Sequence, residues 1–264
     1  MPKLVQLSHY PLGSVLANLN PFAALEKKKI RTPWGNLKPK VDLFPVIYLI
    51  IIYGFIYILP YGKYVVGMSW FDWLRSEDGP LENMQFLFYL LASIFAFLTA
   101  RKKLRDGINL NSVMWLLLAL LCLFIAGEEI SWGERITGFG SQALRDINSQ
   151  GESNIHNLPF FHHILLDPSF EISCILFGWI GWHFWPKLDF LPKKRYSLYF
   201  LFVALFFFYF DISYSSTIKQ IRNDQEIFEF LMSLGLLLHC WSSAIARHKN
   251  RKLDKKRKTL KLIR

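Results

Sequence analysis

Cysteine is scarce in this chain. Only Cys122, Cys174 and Cys240 occur among 264 residues, and no two have CxxC spacing. A disulfide framework and thiol chemistry are therefore not expected, since thiols in apolar surroundings are inert. The metal motifs HExxH and HxxxH are also missing. The first 40 residues lack a continuous apolar core followed by a small-residue cleavage site, so no cleavable signal peptide is expected. Charged residues are few, at 19%, against 52% hydrophobic and 17% aromatic residues. That balance excludes an ordinary soluble domain of this length and points to a polytopic membrane protein. A net charge of +11 would suggest nucleic acid in a soluble protein. Here it has another origin, and no nucleic-acid partner is expected.

The origin lies in how the charges sort. Six apolar stretches, 43–60, 81–100, 111–127, 170–186, 197–212 and 226–246, read as membrane-spanning helices. With both termini in the cytoplasm, the inner segments 1–42, 101–110, 187–196 and 247–264 hold 25 of the 31 Lys and Arg but only 5 of the 20 Asp and Glu. The basic bias is what the positive-inside rule demands. The acidic bias of the other side is not part of that rule, so it marks the outer face as the place to look for function. The fold class predicted is all-α: a polytopic integral membrane bundle of six transmembrane helices.

The chain divides into a basic cytoplasmic segment, 1–42, a transmembrane domain, 43–246, and a polybasic cytoplasmic tail, 247–264. The stretch Pro11 to Leu25 is mildly amphipathic and reads as a surface-lying segment or a plain tail. Anionic lipid is a candidate partner for the C-terminal tail, alongside its role as a topology anchor. Tyr61, Trp70, Trp73 and Trp132 are placed at the outer interface, and Trp185, Tyr196 and Tyr199 at the inner one. The inner halves of the helices read as dry. The outer loop 128–169 is too long for a plain connection and rich in Trp, Phe and Leu, so it is expected to fold back over the helix ends.

Four constellations carry candidate chemistry. In Gly127-Glu-Glu-Ile-Ser-Trp-Gly-Glu-Arg135, Glu128 and Glu129 meet the unfavourable end of a helix dipole and repel one another. If the helix continues, Glu128, Ser131 and Arg135 share one face, and Gly133 admits a neighbouring helix. In Glu77-Asp78-Gly-Pro-Leu-Glu82-Asn83-Met-Gln85, Asp78 can cap a helix opened by Pro80, and Glu82 and Gln85 form a polar stripe entering the bundle. In Gln225-Glu226-Ile-Phe-Glu229, Glu226 has a first-turn position, while Glu229 lies deeper, where an unpartnered carboxylate is costly. The segments at 82 and 226 are similar, and Ser93 and Ser233 follow on the same faces, as if two helices served one site. Asn154-Ile-His156-Asn157 adds an imidazole to a face crowded with carboxylates, a combination suited to a divalent metal or to acid–base work. Asp211 can add a carboxylate, and His239 reads as a packed, hydrogen-bonded residue.

The motif Gly127 to Arg135 resembles that of an uncharacterised family of bacterial multi-pass membrane proteins, whose segment reads Gly-Glu-Glu-Ile-Ser-Trp-Gly, then usually Gln, then Arg. The likeness runs on through Gln150-Gly-Glu152-Ser-Asn154-Ile-His156-Asn157 and includes Glu77-Asp78-Gly-Pro80; Glu134 departs from the usual Gln. It implies a bacterial cytoplasmic-membrane location and supports the site without naming a reaction. Asp72-Trp73, Glu77, Asp78, Glu82 and Ser93 are distantly similar to the membrane hydrolase superfamily that includes alkaline ceramidases. The paired histidines of that superfamily's last helix are absent, only His239 standing there.

The leading functional expectation is a membrane-embedded hydrolase or transferase acting on a lipid or lipid-linked substrate at the outer leaflet. Glu82, Glu128, Glu129, Glu229 and His156 would line its site, with Arg135 orienting the acids or holding an anionic group. Gln85, Ser131, Asn154, Asn157, Glu77, Asp78 and Glu226 would bind or support the substrate. A divalent metal would draw on Glu82, Glu129, His156 and Glu229. The alternatives are a non-catalytic assembly subunit and an ion- or proton-coupled transporter.

Overall fold

The computed structural model describes residues 31–32, 35–36, 42–57, 73–74, 79–148, 151, 154–155, 158, 167–213 and 224–262, without the side chains of 31–36, 55–57, 135–136, 167, 210–213 and 246–262. The expectations for Pro11 to Leu25, Tyr61 and Trp70 lie outside these residues. A two-residue antiparallel ladder, β1 (Arg31–Thr32) with β2 (Gly35–Asn36), precedes a helical molecule. The helices are α1 (Phe44–Tyr57), α2 (Pro80–Asp106), α3 (Leu110–Glu129), the short α4 (Glu134–Thr137) and α5 (Gln142–Arg145), α6 (Asp167–Ile175), α7 (Gly181–Phe184), α8 (Ser197–Ser213) and α9 (Gln225–Leu262). Three are long and apolar enough to cross a membrane: α2, α3 and the Gln225–Ile245 part of α9.

The middle of the bundle follows from residue size. Along α2 the buried positions Glu82, Gln85, Tyr89, Ala92, Ala96 and Thr99 alternate by three and four residues, and Lys103 continues the line. Along α3 the same rhythm runs Ser112, Trp115, Ala119, Cys122 and Ala126, and reaches Glu129. A repeat near 3.5 residues is the seam of a left-handed helix pair. Its centre is alanine and cysteine, so the backbones approach closely, and Ser93 donates from α2 to the Ala119 carbonyl of α3 at 2.8 Å. The opposite faces expose Leu87, Ile94, Phe97, Leu117, Leu120 and Phe124, apolar side chains suited to lipid. α9 packs against α2 and is the most buried of the three long helices.

Contacts at both ends fix the directions. Gln85 near the start of α2 bonds to Glu226 at the start of α9, so these helices run parallel. α1 runs against α9: Tyr53 donates to Asp224 and Tyr48 to the Ile227 carbonyl, while Phe44 stacks on Tyr199. α8 also opposes α9, with Tyr196 bonding to Leu238 and Ser242 at one end and Phe206 stacked on Phe228 at the other. α6 and α7 are joined by a π-helical turn, Leu176–Ile180. Its i−5 bond, Gly181 N–H to the Leu176 carbonyl, leaves the Gly178 carbonyl to the Trp182 indole at 2.6 Å. A Cβ on Gly178 would meet Leu201 at 2.9 Å, so this turn sits directly on α8.

The bundle thus has an acidic end, where α2 and α9 begin, and a basic end. The basic end corrects two expectations. Its helix ends are not dry: Asp189, in the loop after α7, pairs with Lys103 at 2.6 Å and accepts from Trp115 Nε1 at 2.9 Å, while its own N–H donates to Asn111. His239 is fully buried, stacked on Trp115, with Nε2 2.9 Å from the Phe190 carbonyl. Tyr196 and Tyr199 are buried in the core and do not form an interfacial belt; the hydroxyl of Tyr196 finds partners on α9 that a membrane surface would otherwise have supplied. Trp185 is half exposed. Ala96→Leu should therefore wedge the α2 seam apart and lower stability by about 1–3 kcal/mol, whereas Phe97→Leu on the outward face should change it little; thermal unfolding in detergent compares them.

Candidate functional site

α2 opens with Gly79 as N-cap and Pro80 at the first helical position, with no side-chain cap. The N-cap position falls on Gly79, and proline at the first helical position supplies the helical φ and has no N–H to satisfy. Glu82 in the first turn and Gln85 one turn deeper are both buried. Gln85 Nε2 donates to Glu226 Oε2 at 2.8 Å and to the Glu226 carbonyl at 3.3 Å. Two acceptors on one side fix which way the amide points, and Gln85 Oε1 is turned away from Glu226, buried and without a partner among the described residues. The similar segments at 82 and 226 are therefore in contact.

Tyr89 is the next residue of the same stripe and is almost completely buried. The carboxylates of Glu129 on α3 and Glu229 on α9 both act electrostatically on its phenol. Residue types alone gave no reason to single out Tyr89. Its signal was positional, four residues beyond Gln85 and seven beyond Glu82 on one helix face. Ser93, one turn further, is committed to the Ala119 carbonyl, and Ser233 to the Phe230 carbonyl.

The motif after α3 departs from the expected geometry. The helix does not continue: Ser131 and Trp132 adopt φ of 46° and 55°, and Gly133 a φ of 87°. Two consecutive non-glycine residues in the left-handed region are costly and persist only where surroundings hold them. Glu128, Ser131 and Arg135 therefore do not share a helix face. Gly133 is needed for its conformation and not for close packing, since a Cβ there would meet nothing within 4 Å. The close approach is at Gly127, where a Cβ would lie 2.9 Å from the Trp132 ring. That ring also packs edge-on against Phe124, and its Nε1 donates to Glu128 Oε1 at 2.5 Å.

Glu128 is buried, and its second oxygen accepts from the Ile155 N–H at 2.6 Å. Asn154 Nδ2 donates to Ser131 Oγ at 3.2 Å, and Asn148 Nδ2 donates to Asn154 Oδ1 at 2.7 Å and to its carbonyl at 2.9 Å. The 127–135 and 150–157 motifs are stitched together by these bonds. Glu134, the residue that departs from the resembled pattern, pairs with Arg145 and lies apart from this network. Glu77, Asp78, His156 and Asn157 lie outside the described residues, as do the side chains of Arg135 and Asp211. Among the described residues, no three of His, Cys, Asp and Glu gather as a metal site. The three cysteines are free and buried.

No family model, curated protein or solved structure matches the chain. The site accordingly stands on its geometry. Gly127→Ala should push the Trp132 indole off Glu128, shift the Trp132 contribution to fluorescence and cost about 1 kcal/mol. Emission spectra recorded with and without Trp132→Phe isolate that residue, and an unchanged spectrum would contradict the packing described.

Proposed function

We propose that this chain is a six-span membrane protein with both termini cytoplasmic, and that it is an enzyme working at its acidic, extracytoplasmic end on a lipid or lipid-linked substrate. The observation that carries this reading is the bond from Gln85 on α2 to Glu226 on α9 at that one end, one turn from the buried Tyr89, on which Glu129 of α3 and Glu229 of α9 act electrostatically. Ionisable groups at membrane depth cost free energy and are kept where they act. The side-to-side charge separation supports the orientation, and α1, α6 with α7, and α8 link the same two ends as the three long helices. α1 is only 14 residues, about 21 Å, and needs thinning of the bilayer or flanking residues to span.

The chemistry that suits the arrangement is acid–base. Glu129 or Glu229 removes a proton from water or from a substrate hydroxyl and returns it to the leaving group, with the buried Tyr89 phenol on the same polar stripe of α2. Hydrolysis and group transfer differ only in which nucleophile is activated. The version without metal is the one proposed, since among the described residues Glu82, Glu129 and Glu229 do not gather as a metal site. The resemblance to bacterial multi-pass proteins carrying the Gly-Glu-Glu-Ile-Ser-Trp-Gly segment supports the same residues. The basic extension of α9, helical to Leu262, would meet anionic lipid where it leaves the membrane.

A second reading, proton-coupled transport, draws on the Lys103–Asp189–Trp115–His239 cluster, which puts polar groups at the other end of the same three helices. The enzyme reading is preferred because the centre of the seam between the ends is Ala92, Ala96, Ala119 and Cys122, with no chain of titratable oxygens. In cells lacking the native gene, Glu129→Gln and Glu229→Gln should each accumulate normally yet lose on the order of a hundredfold in activity, leaving the lipid profile of the deletion strain. Lipid profiles indistinguishable from wild type in both variants would overturn the enzyme reading. Proton flux in sealed vesicles that both variants abolish would favour transport.

A further inference from the structure

Adjacent residues on a helix point about 100° apart, so Glu128 and Glu129 cannot face the same surroundings. Glu129 continues the seam of Ser112, Trp115, Ala119, Cys122 and Ala126, and so turns toward the bundle. Glu128 is off that seam, yet only 4% exposed, because the loop covers it. Each of its oxygens has its own donor: Oε1 takes the Trp132 indole and Oε2 the Ile155 backbone N–H. One of those donors belongs to the left-handed turn and the other to the loop whose next residue is His156.

We propose that the two glutamates have separate roles: Glu128 is a positioning residue that clamps the Asn154–Ile155 segment and the Ser131–Gly133 turn onto the end of α3, and Glu129, on the bundle-facing seam, is the carboxylate that faces the substrate. The assignment of Glu129 rests on the enzyme reading above, whereas the clamp does not. The turn itself supports a clamp. Two non-glycine residues held at positive φ need an external restraint, and the two bonds to Glu128, with the Ser131–Asn154 bond beside them, supply it. The clamp uses both acceptors of a carboxylate. An amide offers a single acceptor and an NH2 group that would face another donor, so glutamine is a poor replacement despite its equal size.

Hydrogen exchange of detergent-solubilised full-length protein, read by mass spectrometry on peptides covering Ile155, tests the clamp. Glu128→Gln should raise exchange at Ile155 on the order of tenfold or more, and Glu129→Gln should leave it within about twofold of wild type. Glu128→Asp, which keeps two acceptors on a shorter arm, should give an intermediate rate and partly restore complementation of the deletion strain. If Glu128→Gln does not accumulate, the Asp variant alone must still show raised exchange at Ile155. Unchanged exchange in the Glu128 variants, or an equal rise in Glu129→Gln, would overturn the division of roles. A loop released by Glu128→Gln while lipid profiles stay normal in every variant would uphold the clamp and remove the enzyme reading.

Discussion

Helices in lipid gain little from the hydrophobic effect by touching one another, because lipid tails are as apolar as leucine. Close packing of small residues has to take over, and in this chain it does so along one line. Ala92, Ala96, Ala119, Cys122 and Ala126 let α2 and α3 meet at backbone distance, and α9 packs on the same pair. Among the described residues, the buried polar groups of α2 and α3 lie along or beside the seam or at its two ends. Once the centre is dry and tight, residues one or two turns outward on the same stripes must converge on their counterparts. Gln85 is brought to Glu226 and Tyr89 within electrostatic reach of Glu129 and Glu229 at one end; Lys103, Trp115 and His239 are brought to Asp189 and Phe190 at the other.

The two ends are finished differently. At the basic end the loop after α7 presents Asp189 and the Phe190 carbonyl to side chains from three helices, while His239 Nδ1 is buried without a partner among the described residues. Such a network fastens helices. At the acidic end Glu128 accepts from an indole and a backbone N–H, Glu226 from an amide and Asp224 from a phenol, and the Gln85 carbonyl oxygen is buried without a partner among the described residues. The chain also departs from relaxed backbone geometry at Ser131 and Trp132, next to those carboxylates. Strain of this kind concentrates where function fixes a conformation that packing alone would not choose.

Much of this was legible from residue pattern. Helices fall on all six apolar stretches, because long apolar runs with few charges have few alternatives in lipid. The kinship of the segments at 82 and 226 suggests two helices presenting equivalent polar faces, and Gln85 and Glu226 of those segments are in contact. The behaviour of 131–133 was not legible: a left-handed turn through serine and tryptophan is disfavoured locally and arises only because Glu128 and Asn154 hold it. Tyr89 was passed over because a tyrosine on an apolar helix is ordinarily core; its importance comes from partners on two other helices. The basic-end network escaped for a similar reason, since Asp189 sits in a loop that read as topology signal alone. Tertiary partners decided each of these positions, and a single chain read in order does not display them.

The account stands or falls on the convergence of α2 and α9 at the acidic end, and proximity measures it directly. In a background with Cys122, Cys174 and Cys240 replaced by alanine, Gln85→Cys and Glu226→Cys together should be joined by a short bis-maleimide in native membranes. The intramolecular link would appear as a protease-resistant connection between the α2 and α9 fragments. A control pair of Leu87→Cys, on the outward face of α2, with Glu226→Cys should remain unlinked. Efficient linking at 85 and 226 is the result the structure requires. Absence of linking there, with both cysteines shown to react singly, would mean that the polar faces do not meet and that no shared site exists.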